Sequence, residues 1–254
     1  MGGKKINNVI KHFLITGDTH GRVIDRLNDI NFEKYPPEET ALIILGDAGI
    51  NYYLNKSDRK LKEKIQSTGY TIYCVRGNHE ERPENLPNIE KIVDNNVLNE
   101  IYYEPDYPNI RYFIDGEKYF INGYSCLVIG GAYSVDKYYR LMRDMTWFKD
   151  EMLTPEERDA VIEKVEGQHF DFVFTHTTAL SYEPRHLFLS MIDQSTVDNS
   201  MEVWLEQLKN KISYNIWCFG HYHADEIIAP KVELFFTEIK DIKDIYNHWN
   251  GEVE

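Results

Sequence analysis

His12-Phe13-Leu14-Ile15-Thr16-Gly17-Asp18-Thr19-His20-Gly21 runs from an apolar stretch directly into a glycine, a carboxylate and an imidazole. A short, nearly unbroken apolar run suits a strand buried on both faces of a sheet. The same sequence of events recurs four times. Ala41–Leu45 leads into Gly46-Asp47-Ala48-Gly49, and Thr71–Val75 into Arg76-Gly77-Asn78-His79-Glu80. Phe170–Thr175 leads into His176, and Asn215–Phe219 into Gly220-His221-Tyr222-His223. In α/β sheets, ligands gather at the carboxyl ends of strands, where loops converge. Five strand ends therefore each deliver a side chain able to bind a cation.

Working outward, Ser125–Ile129 reads as another buried strand and Val232–Ile239 as a late one. Arg111–Ile114 and Lys118–Asn122 flank Asp115-Gly116-Glu117, which predicts a hairpin with Asp-Gly as its turn. Lys56–Ser67 is highly charged and predicts a surface helix. Thr154-Pro155-Glu156-Glu157 is a helix start, with an N-cap threonine, proline in the first turn and acids at the positive end. That helix should run to about Val165 and stop at Gly167. Met201–Ile212 places Val203, Leu205, Leu208 and Ile212 on roughly one helical face. The proline-containing segments Tyr35–Glu39, Arg82–Pro87 and Glu104–Pro108 read as loops. Strands alternating with helices indicate an α/β fold with mixed sheets. No segment has the composition of a linker, so residues 1–254 are expected to form a single domain.

The composition narrows the classes further. With 28 basic and 42 acidic residues, the net charge of −14 opposes stable binding to nucleic acid or to an anionic membrane. It leaves an anionic substrate possible, because bound cations reverse the local charge of a site. Cys74, Cys126 and Cys218 lie in separate apolar runs, with no spacing suited to a disulfide framework or a zinc knuckle. They read as buried thiols of a reducing cytoplasm. The amino terminus lacks the marks of a signal peptide, and Ile6 stands where a myristoylation motif wants Ser or Thr. No apolar stretch has the length of a membrane span.

Taken singly, the five motifs have plain structural readings. Gly46-Asp47 is a turn, Asn78-His79 a satisfied polar pair, and His176 a histidine at a strand end. Five in order, each after a buried strand, point instead to a metal site. They take five of the nine histidines, leaving His12, His169, His186 and His248 as background. If the backbone stays extended, Asp18 and His20 share a face, and so do His221 and His223. The donors are oxygen and nitrogen without thiolate, which suits Mn, Fe or Zn.

The ordered series GDTHG, GD, GNHE, a lone histidine after a strand, and GHYH resembles the calcineurin-like metallophosphoesterase superfamily, over about Gly17 to His223. The resemblance implies a four-layer sandwich of two mixed β-sheets flanked by helices. It implies metal-dependent hydrolysis of phosphate esters at a dinuclear centre, with a bridging hydroxide as nucleophile. Asp18, His20 and His223 would hold one ion, Asn78, His176 and His221 the other, and Asp47 would bridge them. Such a pair, roughly 3.5–4 Å apart, clamps both ends of an in-line displacement at phosphorus. His79 would stand beside the metals as general acid or as an electrostatic stabiliser.

The sequence departs from the serine/threonine phosphoprotein phosphatases of that superfamily. Their second motif continues with Asp-Arg-Gly, whereas here Gly46-Asp47-Ala48-Gly49-Ile50-Asn51-Tyr52-Tyr53 has no arginine. The closing Gly-His-Tyr-His resembles the form of small-molecule and nucleotide phosphodiesterases. The expected substrate is thus a small or nucleotide-like phosphate ester, mono- or diester, with manganese as the leading metal. Protein phosphatase activity and a non-catalytic metal-binding scaffold are the alternatives. Gly130–Arg140 is a candidate loop over the metals, with Arg140 or Lys137 meeting phosphate and Tyr133 stacking on a ring. Asn51-Tyr52-Tyr53 is a second candidate lip. Arg76 faces either phosphate or solvent, and Glu80-Glu81 either orients His79 or caps a helix.

Overall fold

The computed structural model describes residues 9–251. The readings of the extreme amino terminus concern residues outside that range. Along the chain come β1 (His12–Thr16), α1 (Val23–Asn28), β2 (Thr40–Ile44), α2 (Lys56–Thr68) and β3 (Thr71–Cys74). Next are β4 (Glu90–Asp94), β5 (Asn99–Tyr103), β6 (Ile110–Tyr112), β7 (Glu117–Ile121) and β8 (Tyr124–Ile129). Then follow α3 (Lys137–Met142), α4 (Pro155–Val165), β9 (His169–Thr175), α5 (Ser200–Lys209) and β10 (Ser213–Phe219). The chain ends with β11 (Glu226–Ala229), β12 (Val232–Leu234), β13 (Lys240–Asp241) and α6 (Ile242–Asn250).

Two mixed sheets result. The first has seven strands in the order β13-β1-β2-β3-β6-β5-β4, and the second six in the order β11-β12-β10-β9-β8-β7. Strands β1, β2, β3 and β6 are mutually parallel, as are β8, β9, β10 and β12. Side-chain alternation builds the layers. Phe13, Ile15, Ala41, Ile43 and Tyr73 of the first sheet pack in one core with Cys126, Val128, Phe172, Phe174, Ile216 and Cys218 of the second. The intervening Leu14, Leu42, Ile44 and Ile72 face outward onto Val23 and Leu27 of α1 and Ile65 of α2. On the other side Leu127, Ile129, Val173, Trp217 and Phe219 meet Val161 and Val165 of α4 and Met201, Leu205 and Leu208 of α5. The layers run helix, sheet, sheet, helix, as expected. All three cysteines are free and buried.

Local chemistry sets the helix ends. Asn55 accepts from Ser57 N to start α2, and Gly69 ends it with φ 83°. Thr154 and Glu157 form a reciprocal capping box at α4, and Gly167 follows it with φ 75°.

Three expectations are corrected. The hairpin across Asp115-Gly116 does not form: β6 lies in the first sheet and β7 in the second, so this segment carries the chain between sheets. A type I′ turn needs positive φ at both central residues. Gly116 has it and Asp115 does not, whereas Asn122 (φ 51°) and Gly123 (φ 87°) both do, and they join β7 to β8. Second, Val232–Ile239 is not one strand. The Asp225 carboxylate accepts from Phe236 N, Thr237 N and Glu238 N at 2.7–3.0 Å and pulls the chain out of the sheet after β12. Strand β13 then pairs antiparallel with β1 in the other sheet. Third, the helix predicted over Met201–Ile212 spans Ser200–Lys209, and Ile212 lies beyond its end.

Candidate metal centre

The carboxyl ends of β1, β2, β3, β9 and β10 meet at one edge of the two sheets, with all seven candidate ligand residues among them. Backbone contacts lock the edge together. His221 N donates to Asp18 Oδ1 and His79 N to Asp47 Oδ1, both at 2.8 Å. Glycines allow the close approach: a Cβ on Gly46 would lie 2.0 Å from His176 Nδ1, and one on Gly77 would lie 2.0 Å from Asp47 Oδ1.

The first cluster joins Asp18, His20 and His223. His20 Nε2 and His223 Nε2 are 2.8 Å apart, and Asp18 Oδ2 lies 3.2 Å from the latter and 3.7 Å from the former. Asp18 Oδ2 is buried and makes no hydrogen bond. The second cluster joins Asp18, Asp47 and His176. His176 Nδ1 lies 2.8 Å from the Leu45 carbonyl oxygen, so that nitrogen carries a proton and Nε2 is the one available to a cation. Nε2 is 2.8 Å from Asn78 Oδ1, whose amide is turned by donation from Nδ2 to Ser134 Oγ at 2.8 Å. His176 Nε2 and Asn78 Oδ1 thus converge on one buried point. A cation would take up these donors together with the unpaired Asp18 oxygen, so the residues fit a divalent metal. The His221 ring packs edge-on against His176, centroids 4.9 Å apart. Asp18 is common to both clusters, and the Asp47 carboxylate of the second also approaches the first, Oδ2 3.9 Å from His20 Nδ1 and Oδ1 3.7 Å from His176 Nε2.

Electrostatics agree with a ligand set. Burial pushes the His221 imidazole down to about 3, keeping it neutral. Burial would raise Asp47, but His176, His79 and His20 together pull its carboxyl below the usual range. The Asp18 carboxylate beside it raises the His223 pKa.

The convergence does not arise from extended backbone sharing a face. His20, Asp47, His221 and His223 all have positive φ, between 45° and 70°. Left-handed backbone at non-glycine residues costs roughly 1–2 kcal/mol each. Turns, rather than alternation, aim these side chains, and such strain gathers at functional sites.

His79 stands beside the clusters, Nε2 4.0 Å from Asp47 Oδ2. Arg140 Nη2 approaches the same nitrogen at 3.5 Å. Asp136 accepts from Arg140 Nε at 2.8 Å, and Tyr52 Oη accepts from Nη1 at 2.8 Å. Burial first, then Arg140, lowers the His79 pKa. Lys137 instead lays its ammonium over the Trp147 ring, 4.2 Å from the centroid. Arg76 is buried against Asp115 and the Glu151 carbonyl, away from the metals. Glu80 neither orients His79 nor caps a helix; it accepts from Gly77 N at 2.9 Å.

A cavity of about 950 Å³ opens over Asp47, Asn78, His79, His221 and His223. Tyr133 lines it, as do parts of the segment from Glu183 to Asn199 and Glu202 of α5. The sequence carried no sign of this wall, because residues 183–199 show neither helical nor strand periodicity. Tyr52 was placed only as a lip, and Asp136 and Ser134 were read merely as loop residues.

A family model described as calcineurin-like phosphoesterase matches residues 11–225. No curated protein matches the chain. Among the described residues, no helix is long and apolar enough to cross a membrane.

Proposed function

This chain belongs to the calcineurin-like phosphoesterase family, and from that premise we propose that it hydrolyses small or nucleotide-like phosphate esters with two divalent cations. Asp18, His20 and His223 would hold one cation, Asn78, His176 and His221 the other, and Asp47 would serve both. When bound, these cations supply the Lewis acidity that activates the attacking water and neutralises charge on the phosphoryl oxygens. The observation carrying the reading is the buried convergence of Asp18, Asp47 and His176, with His176 Nε2 2.8 Å from Asn78 Oδ1 and 3.7 Å from Asp47 Oδ1.

The chain's own residues do the rest. Arg140, held by Asp136 and Tyr52, offers guanidinium N–H groups to a phosphate oxygen above His79. It takes the place of the arginine that the second motif lacks. Burial and Arg140 disfavour protonation of His79, against the opposing pull of Asp47. His79 hydrogen-bonds the phosphoryl group and passes on a proton only after receiving one, which favours stabilisation over a preformed acid. Tyr133 contributes a wall for the organic part of the ester. The oxygen and nitrogen donors accept manganese, iron or zinc, and the family resemblance puts manganese first. The three buried free thiols fit a reducing cytoplasm.

The test is a panel of aryl mono- and diesters, cyclic nucleotides, nucleotides, sugar phosphates and phosphopeptides, run with Mn, Fe and Zn. Turnover that appears with metal and disappears with chelator supports the proposal. Equal inactivity of metal-loaded and chelated protein across the panel refutes it, and a preference for phosphopeptides would favour a protein phosphatase.

A further inference from the structure

Glu202 is a carboxylate that the fold buries without completing its hydrogen bonds. It lies in the first turn of α5 and is only 5% exposed. Thr177 Oγ1 donates to its Oε1 at 2.6 Å, while Oε2 meets no donor among the described residues. A buried acceptor left unmatched is costly, and a bound group carrying a donor would recover that cost. Glu202 lines the cavity that opens over the metal centre. The apolar walls of the same cavity include Tyr133, Leu187, Phe188, Val197 and Tyr222. The rings of Phe188 and Tyr222 stack at an interplanar angle of 10°, centroids 6.1 Å apart, so aromatic rings form part of this wall. The Thr177 hydroxyl also lies 3.1 Å from Tyr222 Oη, tying the carboxylate to that wall.

We propose that this part of the cavity is a subsite for the organic group of the ester, shaped for a flat ring whose N–H donates to Glu202, the chemistry of a nucleobase. The proposal rests on the phosphoesterase reading for the phosphate that accompanies the ring. Apolar walls with one well-placed polar group are how such pockets combine affinity with orientation. An acyl chain would leave the carboxylate unmatched, and a second polyanionic group would meet Glu183, Asp198 and Glu202, with Arg185, already paired to Glu183, as the cation beside them.

The experiment measures binding of free adenosine, guanosine, cytidine and thymidine to the metal-free full chain by titration calorimetry. Each is paired with the N-methylated counterpart that lacks the donor. The pH is 8, above the value of about 7 to which burial pushes Glu202. At least one nucleoside should bind, with its methylated partner about tenfold weaker or more, because a site built to accept a hydrogen bond rejects the analogue without it. Glu202→Gln keeps the acceptor for Thr177 and turns an N–H toward the ring, so it should abolish that difference. Phe188→Ala should weaken both members of a pair alike. Hydrolysis of p-nitrophenyl phosphate by the manganese-loaded chain reports separately on the phosphoesterase reading, because nucleoside binding needs neither metal nor turnover. Absence of nucleoside binding, absence of a methylation penalty, or a penalty unchanged in Glu202→Gln overturns the subsite.

Discussion

The Arg140 guanidinium lies 3.5 Å from Nε2 of His79, although 61 residues separate the two in the chain. A cation so close to an imidazole disfavours its protonation and points a donor at whatever His79 contacts. If Arg140 binds the phosphoryl oxygens, Arg140→Ala should lower kcat/KM by about 100-fold, the scale of losing one preorganised donor to developing charge. Tyr52→Phe, which removes a single 2.8 Å acceptor from Arg140, should cost several-fold less. Steady-state kinetics on the best ester of the panel decides, and an unchanged kcat/KM in Arg140→Ala removes the assignment.

Asp47 and His79 should separate metal binding from chemistry. The Asp47 carboxylate touches both clusters, so Asp47→Asn should lose bound metal at both, measured as metal content after dialysis. His79→Ala should keep its metal and lose about 100-fold or more in kcat, the usual scale of a general acid or positioned donor. Should both variants lose metal equally, His79 would be a ligand rather than a group acting on phosphate.

Much of this was legible in the sequence because it is local. Phe13-Leu14-Ile15 and its counterparts state both the strand and the loop that follows, and Thr154-Pro155-Glu156-Glu157 states its own helix cap. What failed depended on partners distant in sequence. Asp115-Gly116 looked like a turn until Arg76 Nε and Gly130 N claimed the Asp115 carboxylate. His20, His221 and His223 were given an extended geometry that their left-handed backbone contradicts. Arg140 was a reasonable candidate beside Lys137, but only the positions of Tyr52, Asp136 and Trp147 separate the two. Glu202, on a helix read for its apolar face, gave no sign that it closes a cavity.

At Gly46 the backbone comes hard against a candidate ligand. The glycine's φ is 94°, and an added Cβ would fall 2.0 Å from His176 Nδ1, on the side that hydrogen-bonds Leu45. Gly46→Ala should therefore cost roughly 2–5 kcal/mol, combining left-handed strain with overpacking. It should also displace His176 and lower metal content. Denaturant melts with and without manganese test this. A variant as stable as the parent and fully loaded would mean that the β2 end yields more than its packing indicates.

Stability should report on Glu202 through pH. Burial raises its carboxyl from 4.5 to about 7, with Glu183 and Asp198 adding to the rise and Thr177 opposing it. Tyr222 and Arg158 also face it, and neither changes charge in that range, since burial pushes the phenol well above 10 and the guanidinium stays a cation. Between 4.5 and about 7 the folded chain therefore holds a proton that the unfolded chain has released. Stability falls as pH rises through that window, by about 1.4 kcal/mol per unit, and the loss is constant above it. Glu202→Gln cannot titrate. The stability of the parent relative to this variant should thus drop by roughly 3 kcal/mol between pH 4.5 and 7.5, read from urea unfolding at each pH. A difference that does not change with pH would mean that Glu202 is already ionised in the folded chain at the acid end, and that its Oε2 has found a donor.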